Sequence, residues 1–209
     1  MIKPVFFIDE DEHERRSCTD VLKEIFADTD IRIESRTPLP TLSDYSALVI
    51  GEEASALILD ELLNTAGGVT YTGAELATHL RAIGAKMPIV ILTNHPDTDF
   101  TQRGWAVECV FGKKKVLRDP REPAAQEFKA RLSRQIEFAG TVRAECEKRY
   151  HDLLVKSTSG SLNAQEEADL CELEAERIVP VAAAEREKQK KMDAEIENLK
   201  RLLGTKLDR

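Results

Sequence analysis

The chain has 209 residues, 33% of them charged and only 5% aromatic, with 38 acids against 30 bases and a net charge of −8. That length suits one full domain plus an appendage, and the acidic balance argues against nucleic acid as a main partner, because phosphate contacts need a basic surface. There is no 18-residue apolar span and no signal-peptide pattern, so no membrane contact is expected and a cytoplasmic location is. Cys18, Cys109, Cys146 and Cys171 are scattered without metal-ligand spacing, which fits reduced thiols.

The first half alternates short apolar runs with helical patterns. A strand over residues 4–9 precedes a helix from Glu12 to Ala27, with Val21, Leu22, Ile25 and Phe26 on one face. Asp30–Ser35 reads as a second strand, and Pro38 and Pro40 mark the loop after it. Thr41, with Asp44 in the first turn, predicts a helix running to about Ala54. A third strand ends at Asp60. Thr72-Gly73 opens a helix carrying Leu76, Leu80 and Ile83. A fourth strand ends at Thr93, Pro96–Trp105 is a weak candidate for a short helix, and a fifth strand ends near Phe111. Strand-like runs separated by helices predict an α/β fold with a parallel sheet.

Beyond Pro123 the character changes. Residues 1–119 hold 20 acids and 13 bases, whereas residues 120–209 are almost balanced at 18 and 17. A long helix is expected over Ala124–Lys156, then a flexible break at Ser157–Ser161. Asn163 and Glu166 make a capping-box start for another helix, which Pro180 is expected to interrupt. The last helix, Val181–Leu203, carries Met192, Ile196, Leu199 and Leu203 at four- and three-residue steps, the period of a coiled-coil seam. Pairing of the helices within the chain competes with dimerisation through them.

Each apolar run stops at a polar residue. Val5–Ile8 ends in Asp9-Glu10-Asp11, Ala56–Leu59 in Asp60, Pro88–Leu92 in Thr93, and Val107–Phe111, one glycine later, in Lys113. In parallel sheets, ligands gather at the carboxyl ends of the strands. This set can bind a divalent cation and hold a phosphoryl group on a carboxylate. Plainer roles exist for each residue. Acids at a strand end also suit the dipole of the next helix, Thr93 can be a turn residue, and Lys114 can replace Lys113. AGGVTYTG lacks the Lys-Ser/Thr pair of a P-loop. His13, His79, His95 and His151 show no metal spacing, and His95, Asp97 and Asp99 read better as a solvated loop.

The strings FFIDEDEHERR, ALILDELL, PIVILTN and VFGKKK, in this order over roughly residues 1–120, resemble the receiver domain of two-component response regulators. The resemblance implies a flavodoxin-like five-stranded parallel sheet of order 2-1-3-4-5. It implies Mg²⁺ held by Asp9, Glu10 and Asp60, phosphoryl acceptance at Asp60, and phosphoryl contacts from Thr93 and Lys113. It implies a histidine kinase or other protein partner, and a signalling rather than an enzymatic role. The chain departs from the family in a longer loop after Asp60, in Leu63-Asn64 where Met-Pro is common, in Lys114-Lys115 after Lys113, and in Glu10 where Asp is commoner. The expected organisation is a receiver-like domain over 1–120 and long helices, as a hairpin or coiled coil, over 121–209, with homodimerisation through them. The competing expectation is a receiver-fold adaptor that works without phosphate, as in bacterial multi-protein systems, including defence systems. A haloacid-dehalogenase-type enzyme is disfavoured, because its nucleophile would have to come from Asp9-Glu10-Asp11 without the usual following residue.

Overall fold

A computed structural model describes residues 4–50, 54–65, 68–96 and 106–207 of the chain. Five strands, β1 (Val5–Ile8), β2 (Ile33–Arg36), β3 (Ala56–Leu59), β4 (Ile89–Thr93) and β5 (Cys109–Gly112), form one sheet in the order β2-β1-β3-β4-β5. Every pairing is parallel, with Val5 opposite both Ile33 and Ala56, Leu57 opposite Ile89, and Val90 opposite Cys109. The expected flavodoxin-like order is therefore the observed one. The three central strands are buried throughout and apolar but for Thr93 at the end of β4, as a sheet covered on both faces requires.

Alternation along each strand divides the core in two. Phe6, Ile8, Leu57, Leu59 and Ile89 point into one cluster with Tyr45, Tyr71, Leu76 and Leu80. Val5, Phe7, Ile58, Val90 and Leu92 point into the other with Leu22, Ile25, Phe26, Phe128 and Leu132. The helices follow this division: α1 (Glu12–Ile25) and α5 (Pro123–Thr158) cover the second face, and α2 (Ser46–Ile50) and α3 (Gly73–Ala82) the first. Pro123 sits in the first turn of α5, where its missing N–H costs nothing. The helix expected from Thr41 begins as a 3-10 turn over Leu42–Tyr45 before α2, with the Asp44 carboxylate accepting from the Thr41 backbone and hydroxyl. Between β5 and α5 a single helical turn, α4 (Lys113–Val116), was not legible in the sequence. Residues 97–105, including Asp97 and Asp99, lie outside the described residues.

The tail differs from expectation at Pro180. One helix, α6 (Ala164–Leu207), runs through it. Proline removes one intrahelical hydrogen bond, which ordinarily ends or kinks a helix. Here the ring rests on the surface of the α/β domain: a Cβ placed on Gly84 would lie 3.4 Å from Pro180 Cγ. Gly84 itself ends α3 at a φ of 87°, with Ala85 N–H donating to Leu80 O and Gly84 N–H to Arg81 O, the Schellman arrangement that favours glycine. This turn is where the middle of α6 docks. Ala183 packs on the first core cluster, Lys86 reaches Glu176 at 2.5 Å, and Lys191 reaches Asp44 at 2.6 Å.

At its start, α6 runs antiparallel to α5. Lys156 pairs with Glu166, Arg149 with Asp169, and Glu147 with Arg177, so rising numbers on one helix meet falling numbers on the other. Asn163 and Glu166 form the expected reciprocal cap. A cleft of about 760 Å³ opens between the two helices and the Gly84–Pro88 turn. Among the described residues no helix is long and apolar enough to cross a membrane.

Phe128 anchors α5 to the sheet. It is fully buried and meets Phe26 and Phe111 edge-on at centroid distances of 5.9 and 5.1 Å. Phe128→Ala is expected to destabilise the fold by about 3–5 kcal/mol, read by denaturant unfolding. A loss under about 1 kcal/mol would show that this contact does not hold α5 in place.

Candidate functional site

The site lies at the carboxyl rim of the sheet, where β1, β3, β4 and β5 each deliver one polar residue. Asp9 follows β1 and is buried. Its Oδ1 accepts the Asp11 N–H at 2.9 Å, and Arg15 Nη1 donates to its carbonyl at 2.8 Å. Asp11 caps α1, accepting the Glu14 N–H at 2.9 Å, so of the three consecutive acids one has the ordinary helix-start role. Asp60 follows β3 and is buried, with Oδ2 accepting the Leu62 N–H at 3.3 Å. Thr93 ends β4 and is buried, and its hydroxyl accepts the His95 N–H at 3.2 Å. Lys113, the residue after β5, opens α4 and is buried.

Lys113 draws the set together. Its ammonium donates to Asp9 Oδ2 at 2.7 Å and to Glu14 Oε2 at 3.0 Å, and it lies 3.0 Å from Asp60 Oδ1. Three donors thus meet three carboxylates. One ligand oxygen each from Asp9, Glu10 and Asp60 lies within 4.8 Å of the others. Thr93 stands beside them on the neighbouring strand, paired with Gly112 in the sheet.

The charges are not balanced. Burial is the main cause that pushes the Asp60 carboxyl above its ordinary range; Lys113 pulls it down, and Asp9 and Glu10 push it up further. Burial alone would lower the Lys113 pKa, but the attraction of Asp60 and the hydrogen bond to Asp9 outweigh it, so the ammonium is held more firmly protonated. Glu10 Oε2 is buried and has no hydrogen-bond partner, while its other oxygen accepts from Thr65. An all-oxygen set of three acids with one unsatisfied buried oxygen fits a hard divalent cation such as Mg²⁺.

Two contacts were not foreseen. Glu14 reads in the sequence as a first-turn acid of α1, and only the turn after β5 brings Lys113 over it. Thr65 reaches Glu10 across 55 positions of sequence. The loop after Asp60 also has a clearer role. Thr72 caps α3 in a capping box with Glu75. A Cβ on Gly73 would lie 2.2 Å from the Asp60 carbonyl oxygen, so glycine is what lets α3 start against the backbone of Asp60. Tyr71 donates to Leu39 O and lies 3.1 Å from the Tyr45 hydroxyl, tying the loop to the segment before α2.

No family model and no curated protein matches the chain. Solved structures similar to it include a LuxR-family DNA-binding response regulator from Staphylococcus aureus, at 14% identity and a TM-score of 0.47, covering 65% of this chain and 99% of that one. The response regulator TrrA from Thermotoga maritima, in complex with Mg²⁺-BeF, matches at 16% identity and a TM-score of 0.45 over 64% of this chain and 99% of its own. RcsB from Salmonella enterica serovar Typhimurium, bound to a promoter, matches at 13% identity and a TM-score of 0.41 over 88% and 91%. The fold itself is read from the parallel sheet order described above, β2-β1-β3-β4-β5, the flavodoxin-like order.

Because the Asp60 pKa is raised on folding, its contribution to stability is full below the unfolded carboxyl value and is lost as pH rises through the folded value. In the presence of a chelator, Asp60→Asn should therefore melt higher than the parent chain at neutral pH. The gap should narrow as the pH falls toward about 4. Equal melting at both pH values would mean that Asp60 ionises without strain.

Proposed function

We propose that the chain is a response-regulator-like signalling protein that accepts a phosphoryl group on Asp60 and passes the change through α5 to its helical tail. The observation that carries this reading is the buried Asp60 carboxylate 3.0 Å from the Lys113 ammonium, inside a cluster of acids at the rim of a receiver-ordered sheet. An Asp60 oxygen forms the new bond to phosphorus as the bond from phosphorus to the donor breaks; the leaving group, the imidazole of a kinase phosphohistidine or the carboxylate of an acyl phosphate, departs with the electron pair. Asp9, Glu10 and Asp60 would hold Mg²⁺, which neutralises charge on the phosphoryl oxygens. Lys113 places a point charge against the same oxygens, and the Thr93 hydroxyl leaves its local turn to reach them.

The path outward is short. Lys113 directly follows β5, and Phe111 of that strand packs on Phe128 of α5. A shift of β5 moves the base of a 36-residue helix whose far end pairs with α6. In this division, residues 1–120 receive the signal and residues 121–209 present it, to a protein partner or to a second copy.

A second reading has an observation of its own. Glu14 and Asp9 supply Lys113 with partners before any phosphate arrives, so the lysine has its donors taken up as it stands. That arrangement supports a receiver-fold adaptor in a bacterial multi-protein system, defence systems included, whose contacts do not depend on phosphate.

Acetyl phosphate with Mg²⁺ decides between them. Under the first reading, intact mass gains one phosphoryl group on the parent chain and none on Asp60→Asn. Glu14→Ala, which frees one donor of Lys113, should increase the phosphorylated fraction. A parent chain that stays unmodified, and whose melting is unmoved by millimolar Mg²⁺, would overturn the first reading and leave the adaptor.

A further inference from the structure

We infer that the distal part of α6 pairs with the same segment of a second copy as a parallel, in-register, two-stranded coiled coil. This names the partner of the tail in the reading above, and it does not depend on phosphoryl chemistry at Asp60. The helix carries two faces. Glu176, Pro180, Ala183 and Lys191 contact the chain's own receiver. Met192, Ile196 and Leu199 are 48%, 47% and 52% exposed. At about 100° per residue these apolar positions centre roughly 150° around the helix from the receiver-facing stripe. Intrachain docking therefore leaves the seam pointing away from the receiver rather than covering it.

Charge selects the occupant and its direction. With Met192 and Leu199 at d and Ile196 at a, Lys188 and Glu195 fall at g, and Asp193 and Lys200 at e. In a parallel pair each g residue faces the e residue five positions on in the other helix. Lys188 then meets Asp193, and Glu195 meets Lys200, on both sides of the seam. The antiparallel register that stacks the same apolar layers brings Asp193 to Lys200 but gives Lys188 and Glu195 no partner of opposite sign. A β-branched residue at a with Leu at d favours two strands. A seam of about two heptads is marginal for an isolated helix, because the first turn is costly to form. Here the helix is already nucleated, since its earlier turns are held by α5 and by the receiver.

The test is light scattering and sedimentation on the full chain, with no phosphoryl donor present. The parent chain should be a dimer at micromolar concentration. The double variant Ile196→Glu/Leu199→Glu should be monomeric with receiver melting unchanged. Asp193→Lys should raise the dimer dissociation constant about five- to tenfold, and Lys188→Glu/Asp193→Lys should restore it. Leu199→Cys should give a disulfide-linked dimer on oxidation that the parent chain does not form. A monomeric parent chain, a dimer that survives the double glutamate variant, or a charge swap that fails to restore pairing would each overturn the proposal. Phosphoryl uptake, read by mass, is untouched by any of these results, so the two readings fail separately.

Discussion

A buried ammonium cannot stand alone, and the rim of this sheet is organised around that constraint. Lys113 is nearly inaccessible to water, so it requires carboxylates, and it finds Asp9, Asp60 and Glu14 within 3.0 Å. The acids in turn exceed what one lysine can neutralise, because Glu10 stands in the same group with an unpartnered buried oxygen. Such a cluster is costly by itself and becomes favourable when a further cation enters. Burial first, and the neighbouring Asp9 and Glu10 after it, make Asp60 resist ionisation although a lysine adjoins it.

Holding this cluster sets demands on distant elements. Asp9 and Asp60 come level because β1 and β3 pair in register, with Ile8 opposite Leu59. Lys113 arrives because β5 stops at Gly112 and the chain turns at once into α4. Gly73 lets α3 begin against the carbonyl of Asp60. The same turn after β5 connects outward, since Phe111 and Phe128 join the last strand to the long helix. Site and tail are therefore joined structurally through one strand and one aromatic contact.

The tail shows how one helix can serve two surfaces. Its first turns pair with α5 through exposed ion pairs, each worth little alone. Its middle docks on the α/β domain through Pro180 and Ala183, where apolar contact does the holding. Beyond Lys191 the apolar side turns to solvent. An intrachain hairpin and an exposed seam thus coexist, although the sequence presents them as competitors.

Much of the fold is written in local pattern. The runs VFFI, ALIL and IVIL are fully apolar, and only a strand covered on both faces suits such short apolar runs bounded by polar residues. The polar residue ending each run marks the rim, so Asp9, Glu10, Asp60, Thr93 and Lys113 were legible as candidates. The expected break at Pro180 does not occur: proline's local cost is visible in sequence, whereas the Gly84 turn on which the helix docks is nearly a hundred residues away. Glu14 and Thr65 were missed for the same reason, since each meets its partner across 99 and 55 positions. The sequence by itself determined the strands, the caps and the set of chemical groups at the rim, because these follow from burial period and backbone hydrogen bonding over a few residues. Only the tertiary structure decided which acids Lys113 binds, that α6 passes through its proline, and which face of that helix remains open, because those depend on contacts between segments that local pattern does not relate.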